Sequence, residues 1–351
     1  MERTNTITVA ALTGGSRDPA SRFRGRQYIP RLARQGILVE EHIPFFGKSC
    51  GLPSPFKICS RIPALFSSRH ADLVWVSREL VQGYETFERL LKRPRVIDVD
   101  DAIWLSRPFG FFAVADIARS MDAVIAGNDY LAEYFSRYCR KVYVVPTAID
   151  LNRYQLRPDS GSETPKRFVI GWTGMACNYK YLKLIEKPLK RFLQDYPDAE
   201  LLLVAQRAWK SREIGGITES CGIAPERIRF APWSKENEAK VLQEMSVGLM
   251  PLSDDKWTRG KCSFKMLQYM GVGLPVIVSP VGMNRDVLQK ADIGFAANSP
   301  DEWYDALKSL YEDRSLGVKL GLAGRRLVEQ FYNADLIAAE LARIFKSVLG
   351  R

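Results

Sequence analysis

Residues 250–285, MPLSDDKWTRGKCSFKMLQYMGVGLPVIVSPVGMNR, decide how the rest of the chain is read. A strand ends through Leu252, a polar loop follows, then a short helix, then a second, buried-type strand from Pro275 to Ser279. The loop carries Lys256, Arg259 and Lys261, and Lys265 falls at the start of the helix, beside its unpaired backbone N–H groups. A helix N-terminus is the positive end of the macrodipole. Four cations beside one make an anion site, above all a phosphate site. The flanking strands set the loop at the C-terminal edge of a parallel sheet, where open α/β sheets bind ligands. A solvated basic loop is the plainer reading of the same residues.

Gly260-Lys261, Phe264-Lys265, Leu267-Gln268-Tyr269-Met270, Gly273-Leu274-Pro275-Val276 and Ser279-Pro280-Val281-Gly282 resemble the donor-binding segment of family 4 glycosyltransferases. The resemblance implies the GT-B fold: α/β, two Rossmann-like domains facing a central cleft, with a C-terminal helix crossing back to the first domain. It also implies retaining transfer of a sugar from a nucleotide-sugar co-substrate, with no cofactor and no metal. The family's usual pair of glutamates, eight positions apart, would fall on Gly260 and Gln268, and neither is an acid. Gln268 still offers an amide that can hydrogen-bond a ribose.

At 351 residues the chain is long enough for two domains, each with its own core. Its composition is that of a soluble globular protein. The net charge of +11 implies an acidic partner: a nucleotide-linked substrate, nucleic acid, or an anionic membrane surface. Six cysteines (50, 59, 139, 177, 221 and 262) show no C-x-x-C spacing and read as free thiols in a reducing compartment. His42 and His70 are the only histidines and neither neighbours a cysteine pair, which argues against zinc. No signal peptide or membrane-spanning run is apparent, so the expected location is cytoplasmic, with peripheral contact at the inner membrane face left open.

The first half alternates strands and helices. Strands are expected at Thr6–Leu12, Ile37–Phe46, Ala71–Ser77, Arg95–Val99, Met121–Gly127 and Lys141–Pro146. A helix is expected over Arg78–Leu91, an irregular stretch between Pro53 and Phe66, and a helix over Tyr130–Tyr138 capped by Asn128-Asp129. Gly14 and Gly15 leave the first strand. The stretch after them, from Ser16 to Gly36, holds six arginines (17, 22, 24, 26, 31 and 34) against the single acid Asp18. Ser21-Arg22-Phe23-Arg24 resembles the family's first loop and helix. Gly14, Gly15, Arg22 and Arg24 therefore stand as acceptor-side residues, a cationic wall for a phosphorylated acceptor or lipid headgroup, or else a solvated helix face. VIDVDDAIW, residues 96–104, and DAVIAGNDYLAEYF with KVYVVPTAID also resemble the family. Asp100 and Asp101 are read as cleft-lining carboxylates, either of which can take the acceptor's proton. Asp98 with Asp100 also has the Asp-x-Asp spacing that holds Mn²⁺ in other transferases.

Residues 157–166, RPDSGSETPK, mark the best boundary. The domains expected are 1–160 on the acceptor side, 161–332 for the nucleotide sugar, and 333–351 as the crossing helix. A strand restarts at Arg167–Trp172, and the loop GWTGMACNYKYL resembles the family's second glycine loop, which makes Gly174 and Lys180 donor-binding candidates. A surface lysine on a helix running to Tyr196 is the other reading of Lys180. Further strands are expected at Ala199–Ala205, Arg227–Trp233, Val247–Leu252 and Ala291–Asn298. Trp233 could stack on a base or pack in the core. Ser299-Pro300-Asp301-Glu302 has the N-cap, N1 and N3 residues of a helix start. Leu336, Ile337, Leu341, Ile344, Phe345 and Leu349 recur at helical spacing in the last segment.

The reading that follows is a glycosyltransferase. Lys265 and Lys261 meet the departing diphosphate, Asp100 and Asp101 face the acceptor, and Arg259, Gly260, Phe264, Gln268, Gly174, Lys180 and Trp233 hold the donor. Three alternatives stand beside it: a metal-dependent transferase using Asp98 and Asp100, a silent sugar-nucleotide binder, and a nucleic-acid binder. The last lacks any recognised motif.

Overall fold

The computed structural model describes residues 6–16, 18–45, 54–157, 167–205 and 223–351. Residues 158–166 of the expected linker, together with Arg17, Pro53, Cys50 and Cys221, lie outside the described residues. The chain forms two compact units. One comprises Met1–Asp150, Arg259–Cys262 and Tyr332–Arg351, the other Leu151–Thr258 and Ser263–Phe331.

The first unit is built on six parallel strands: β1 (Ile7–Leu12), β2 (Ile37–His42), β3 (Leu73–Ser77), β4 (Arg95–Val99), β5 (Ala123–Ala126) and β6 (Val142–Val144), in the order β2-β1-β3-β4-β5-β6. The central strands are apolar because helices cover both faces of a parallel sheet. Along β3, Leu73 to Val76 are all buried. The C-terminal helix Ala334–Leu349 belongs to this unit and contributes Ile337, Leu341, Ile344 and Phe345 to its core, with Phe345 edge-on to Trp75 at 5.3 Å. Leu336, expected on the apolar stripe, is exposed.

The second unit carries β7 (Phe168–Thr173), β8 (Ala199–Ala205), β9 (Ile228–Pro232), β10 (Val247–Met250), β11 (Val276–Val278) and β12 (Gly294–Ala296), all parallel, in the order β12-β11-β10-β7-β8-β9. This is the doubly wound order, and its direction of winding reverses between β7 and β10. Ser299 caps the helix Pro300–Glu312 in a capping box with Glu302, as the sequence predicts.

Several expected elements differ. Arg78–Leu91 is not a helix. The Glu88 carboxylate accepts from the N–H groups of Leu80 and Thr86 and folds the segment on itself, Val81 bridges Tyr84, and only Glu88–Leu90 make a helical turn. The stretch around Phe56 and Phe66 is not irregular but forms two helices, Ser54–Cys59 and Ile62–Ser67. Pro55 and Pro63 stand in their first turns, where a missing N–H costs nothing. The helix expected to run to Tyr196 is broken, its main segment being Glu186–Asp195. The loop after β10 contains a helical turn, Lys256–Arg259, whose Trp257 and Thr258 N–H groups donate to Asp255 Oδ1.

Candidate active site

In the second unit the switch between β7 and β10 is bridged by Tyr269, on the helix Phe264–Gly271. Its Oη accepts from the Thr173 N–H at 3.0 Å and donates to the Leu249 carbonyl at 3.3 Å. Burial pushes this phenol well up, so it stays protonated. Tyr269 thereby locks the helix over the C-terminal edge of both strands. One turn back, Lys265 Nζ lies 4.4 Å from the ring centroid of Trp172, a cation–π contact with a fully buried indole that itself stacks on Tyr179 at 4.9 Å. Gly174 begins the loop after β7. A Cβ there would meet the Trp172 ring at 2.6 Å and Lys265 Nζ at 2.9 Å, so only glycine lets the loop close on the lysine.

The start of that helix is held by side chains. Ser263 takes the left-handed region (φ 49) and its hydroxyl does not cap the helix. It donates instead to Asn284 Oδ1 at 2.7 Å, while Asn284 Nδ2 donates to the Ser279 carbonyl at 3.0 Å. Ser279 Oγ in turn accepts from the Leu252 N–H at 3.0 Å. The loops after β10 and β11 and the helix start are thus one buried network, with Ser263 and Asn284 each 1% exposed. A strained, over-determined residue at a helix start is a mark of a site.

Gln268 and Trp233 end on the same carboxylate. Gln268 Nε2 donates to Tyr154 Oη at 2.6 Å, Tyr154 Oη donates to Glu238 Oε1 at 2.8 Å, and the Trp233 indole N–H donates to Glu238 Oε2 at 2.9 Å. A carboxylate only accepts, so the tyrosine proton must point at Glu238 and Tyr154 must accept from the glutamine amide. That fixes the amide's orientation and leaves Gln268 Oε1 as the acceptor on its other side. Lys180 is exposed, with Nζ 5.0 Å from the Tyr181 ring centroid. Lys256 is exposed and Phe264 half-buried.

Arg259–Cys262 belong to the first unit, so the expected cluster of four cations is divided: Lys256 and Lys265 in one unit, Arg259 and Lys261 in the other. Asn128, the cap of the helix Asp129–Ser136, donates through Nδ2 to the carbonyls of Lys261 (3.1 Å) and Arg259 (3.4 Å). A Cβ at Gly260 would stand 2.8 Å from the Ala102 nitrogen. Any side chain at this position, a glutamate included, would force the Ala102 backbone or the loop to shift. Lys261 Nζ is 3.9 Å from Asp101 Oδ1. Arg78, in the left-handed region at φ 57, donates to Asp100 Oδ1 at 2.5 Å and Asp101 Oδ2 at 2.7 Å. Burial pushes the Asp101 carboxyl up and Arg78 opposes it. Asp100, Asp101 and Lys261 are thus brought together, around an arginine that the sequence did not single out.

The arginine wall is corrected. Arg24 is 3% exposed: Nε and Nη2 hold both oxygens of Asp98 at 2.6 and 3.1 Å, and Nη1 donates to the Val145 carbonyl. It is a buried fork pair and not a wall facing ligand. Burial raises the Asp98 carboxyl and Arg24 pulls the other way. Arg26 pairs with Glu41, Arg31 with Asp150 and Asp335, and Arg34 with Asp335. Arg22 is half-buried with its guanidinium 4.4 Å over the Phe23 ring. The Gly14 N–H donates to Ser21 Oγ at 2.8 Å and the Gly15 carbonyl accepts from Arg26. With Asp98 held by Arg24, the Asp98/Asp100 metal reading loses its first ligand. Among the described residues no group of three or more His, Cys, Asp or Glu is placed to hold a metal.

Two six-stranded Rossmann-like sheets in one chain define the GT-B fold, and solved structures agree. Sucrose-phosphate synthase from Thermosynechococcus elongatus superposes with a TM-score of 0.75 at 16% identity over 98% of this chain and 99% of that one. Anabaena HepE, solved in complex with UDP-glucose, gives 0.74 at 14% over 97% and 100%. A glycosyltransferase from Rickettsia africae gives 0.68 at 13% over 98% and 99%. At these identities the likeness is one of fold. Residues 167–313, most of the second unit, match the family described as glycosyl transferases group 1, so this unit carries a glycosyltransferase domain. No curated protein matches the chain.

Proposed function

We propose that the protein is a glycosyltransferase that moves a sugar from a nucleotide-sugar donor, held by the second unit, to an acceptor hydroxyl. The observation that carries this is Lys265, poised over Trp172 against the Gly174 loop at the switch point of a glycosyltransferase-type domain. In the reaction the bond from the anomeric carbon to the diphosphate breaks and its electron pair leaves with the diphosphate. The acceptor oxygen bonds to that carbon and gives up its proton. Negative charge grows on the departing phosphate, where a fixed cation in a dry site stabilises it. Lys265 takes this role, with Lys261 and Arg259 as further cations and Asp100 or Asp101 as proton acceptor. Retention of configuration is part of the proposal and comes from the family resemblance.

Gln268 Oε1 takes the place of a carboxylate as acceptor for a ribose hydroxyl, because Tyr154 and Glu238 hold the amide that way round. HepE is described in complex with UDP-glucose, which makes UDP-sugars the first donors to try. The missing family glutamates favour one second reading, a protein that binds the nucleotide sugar without transferring it. A thermal-shift series with UDP- and GDP-sugars, followed by donor hydrolysis, separates the two. A stabilising donor that is turned over supports transfer, a stabilising donor that is never cleaved supports binding alone, and no stabilisation by any nucleotide sugar sinks both.

A further inference from the structure

We propose that the first unit docks on an anionic lipid surface through the helices Ser54–Cys59 and Ile62–Ser67 and the stretch Leu105–Phe112, which leads into the helix Gly110–Ser120. These segments expose seven large apolar side chains: Phe56 (56%), Ile62 (38%), Phe66 (54%), Leu105 (39%), Phe109 (56%), Phe111 (57%) and Phe112 (69%). A folded chain seldom leaves so many rings in water without a use for them.

The two segments are tied to one loop. Arg61, 3% exposed between the two helices, donates to the Leu80 carbonyl at 3.2 Å and to the Thr13 carbonyl at 2.5 Å. The same loop, through Tyr84, meets the Phe109 ring edge-on at 5.7 Å, and the Phe109 N–H donates to the Gly83 carbonyl at 3.2 Å. Leu80 to Tyr84 follow β3 and Thr13 follows β1, so both apolar segments border the C-terminal edge of the first sheet.

Charge selects the occupant. The sequence contains no Asp or Glu from His42 to Ala71 and none from Ala102 to Ala115. The cations among the exposed rings are Lys57, Arg69 and Arg107, and Arg69 lies 4.7 Å over the Phe66 ring. A protein partner is met by a rim carrying both signs of charge. The acids that flank these stretches, Glu85 and Asp116, are answered by Arg89 and Arg119, and a face of aromatic side chains and cations matches a surface that offers hydrocarbon and negative charge only. The docking does not rest on the glycosyltransferase reading, because it is measured without donor or acceptor.

The test is co-sedimentation of the full chain with vesicles of phosphatidylcholine and phosphatidylglycerol, against vesicles of phosphatidylcholine alone. The protein is expected to bind the mixed vesicles, to leave them as salt is raised, and to ignore the neutral ones. Phe66→Ser with Phe112→Ser should weaken binding about a hundredfold, roughly tenfold for each ring withdrawn from the lipid. Lys57→Glu with Arg69→Glu should abolish the preference for the anionic lipid. Phe66, Phe112 and Arg69 are exposed and Lys57 is half-buried, so thermal melting should stay close to that of the wild type, and the two pairs serve as independent variants should one misfold. Failure to bind mixed vesicles, equal binding to neutral ones, or binding indifferent to both pairs overturns the proposal. Self-association without lipid that Phe66→Ser with Phe112→Ser abolishes also overturns it, and assigns the face to a second copy.

Discussion

Lys265 is where the chemistry of the proposed transfer is most concentrated. Its ammonium is positioned by an indole face and a glycine loop, so little reorganisation remains when charge develops nearby. Replacing it (Lys265→Ala) should lower kcat by on the order of a hundredfold or more, about 3 kcal/mol of transition-state stabilisation, with wild-type melting. A folded variant with near-normal kcat would remove the phosphate assignment. Gln268 makes a different kind of claim. Gln268→Glu restores the family's acid in name, but Tyr154 has one proton and Glu238 already accepts it. The new carboxylate would face an acceptor it cannot bond, close to a second buried carboxylate, at a cost of about 1–3 kcal/mol. Urea unfolding reads this directly, and unchanged stability would mean that the amide is held the other way round. The motif made Gln268 visible in the sequence. Tyr154 and Glu238 were not, because neither has a local pattern and they lie 114 and 30 positions away.

At the scale of elements, the short turn Ser21–Gly25 shows what a charge count misses. It is a five-residue π-type turn, a form that often occurs at sites. Its Arg24 fastens it to β4 through Asp98 and to the end of β6 through the Val145 carbonyl. Arg24→Ala would leave Asp98 ionisable and unpaired in the core, a loss of about 3–5 kcal/mol. Arg22→Ala, which removes a half-exposed contact with Phe23, should cost about 1 kcal/mol or less. Urea denaturation of the two variants separates them, and equal losses would show that Arg24 is not the structural member of the pair. The two helices between β2 and β3 teach a related lesson. Their prolines read as breakers in the sequence, yet each stands in a first turn, the one position where a helix accepts it.

For the whole chain, the net charge of +11 was the reason to expect an acidic partner. Much of the arginine in the first unit is answered internally, by Asp98, Glu41, Asp150 and Asp335. The carboxylates of the Asp-x-Asp reading and their neighbour are likewise paired: Asp98 with Arg24, Asp100 and Asp101 with Arg78. Sugar transfer should therefore proceed unchanged in EDTA. Activity that is lost on chelation and restored by Mn²⁺ or Mg²⁺ would reopen the Asp-x-Asp reading. The sequence by itself determined the two Rossmann-like halves, most of the strands, the capping box at Ser299 and the motif around Lys265. These depend on local signals: apolar runs, glycine turns, and side chains that cap within a few positions. Only the tertiary structure decided which charges are buried against one another. Arg24 meets Asp98 across 74 positions and Arg31 meets Asp335 across 304, and no window along the chain carries that information. Ion pairing acts through space, over a few ångströms, between residues that only the fold makes neighbours.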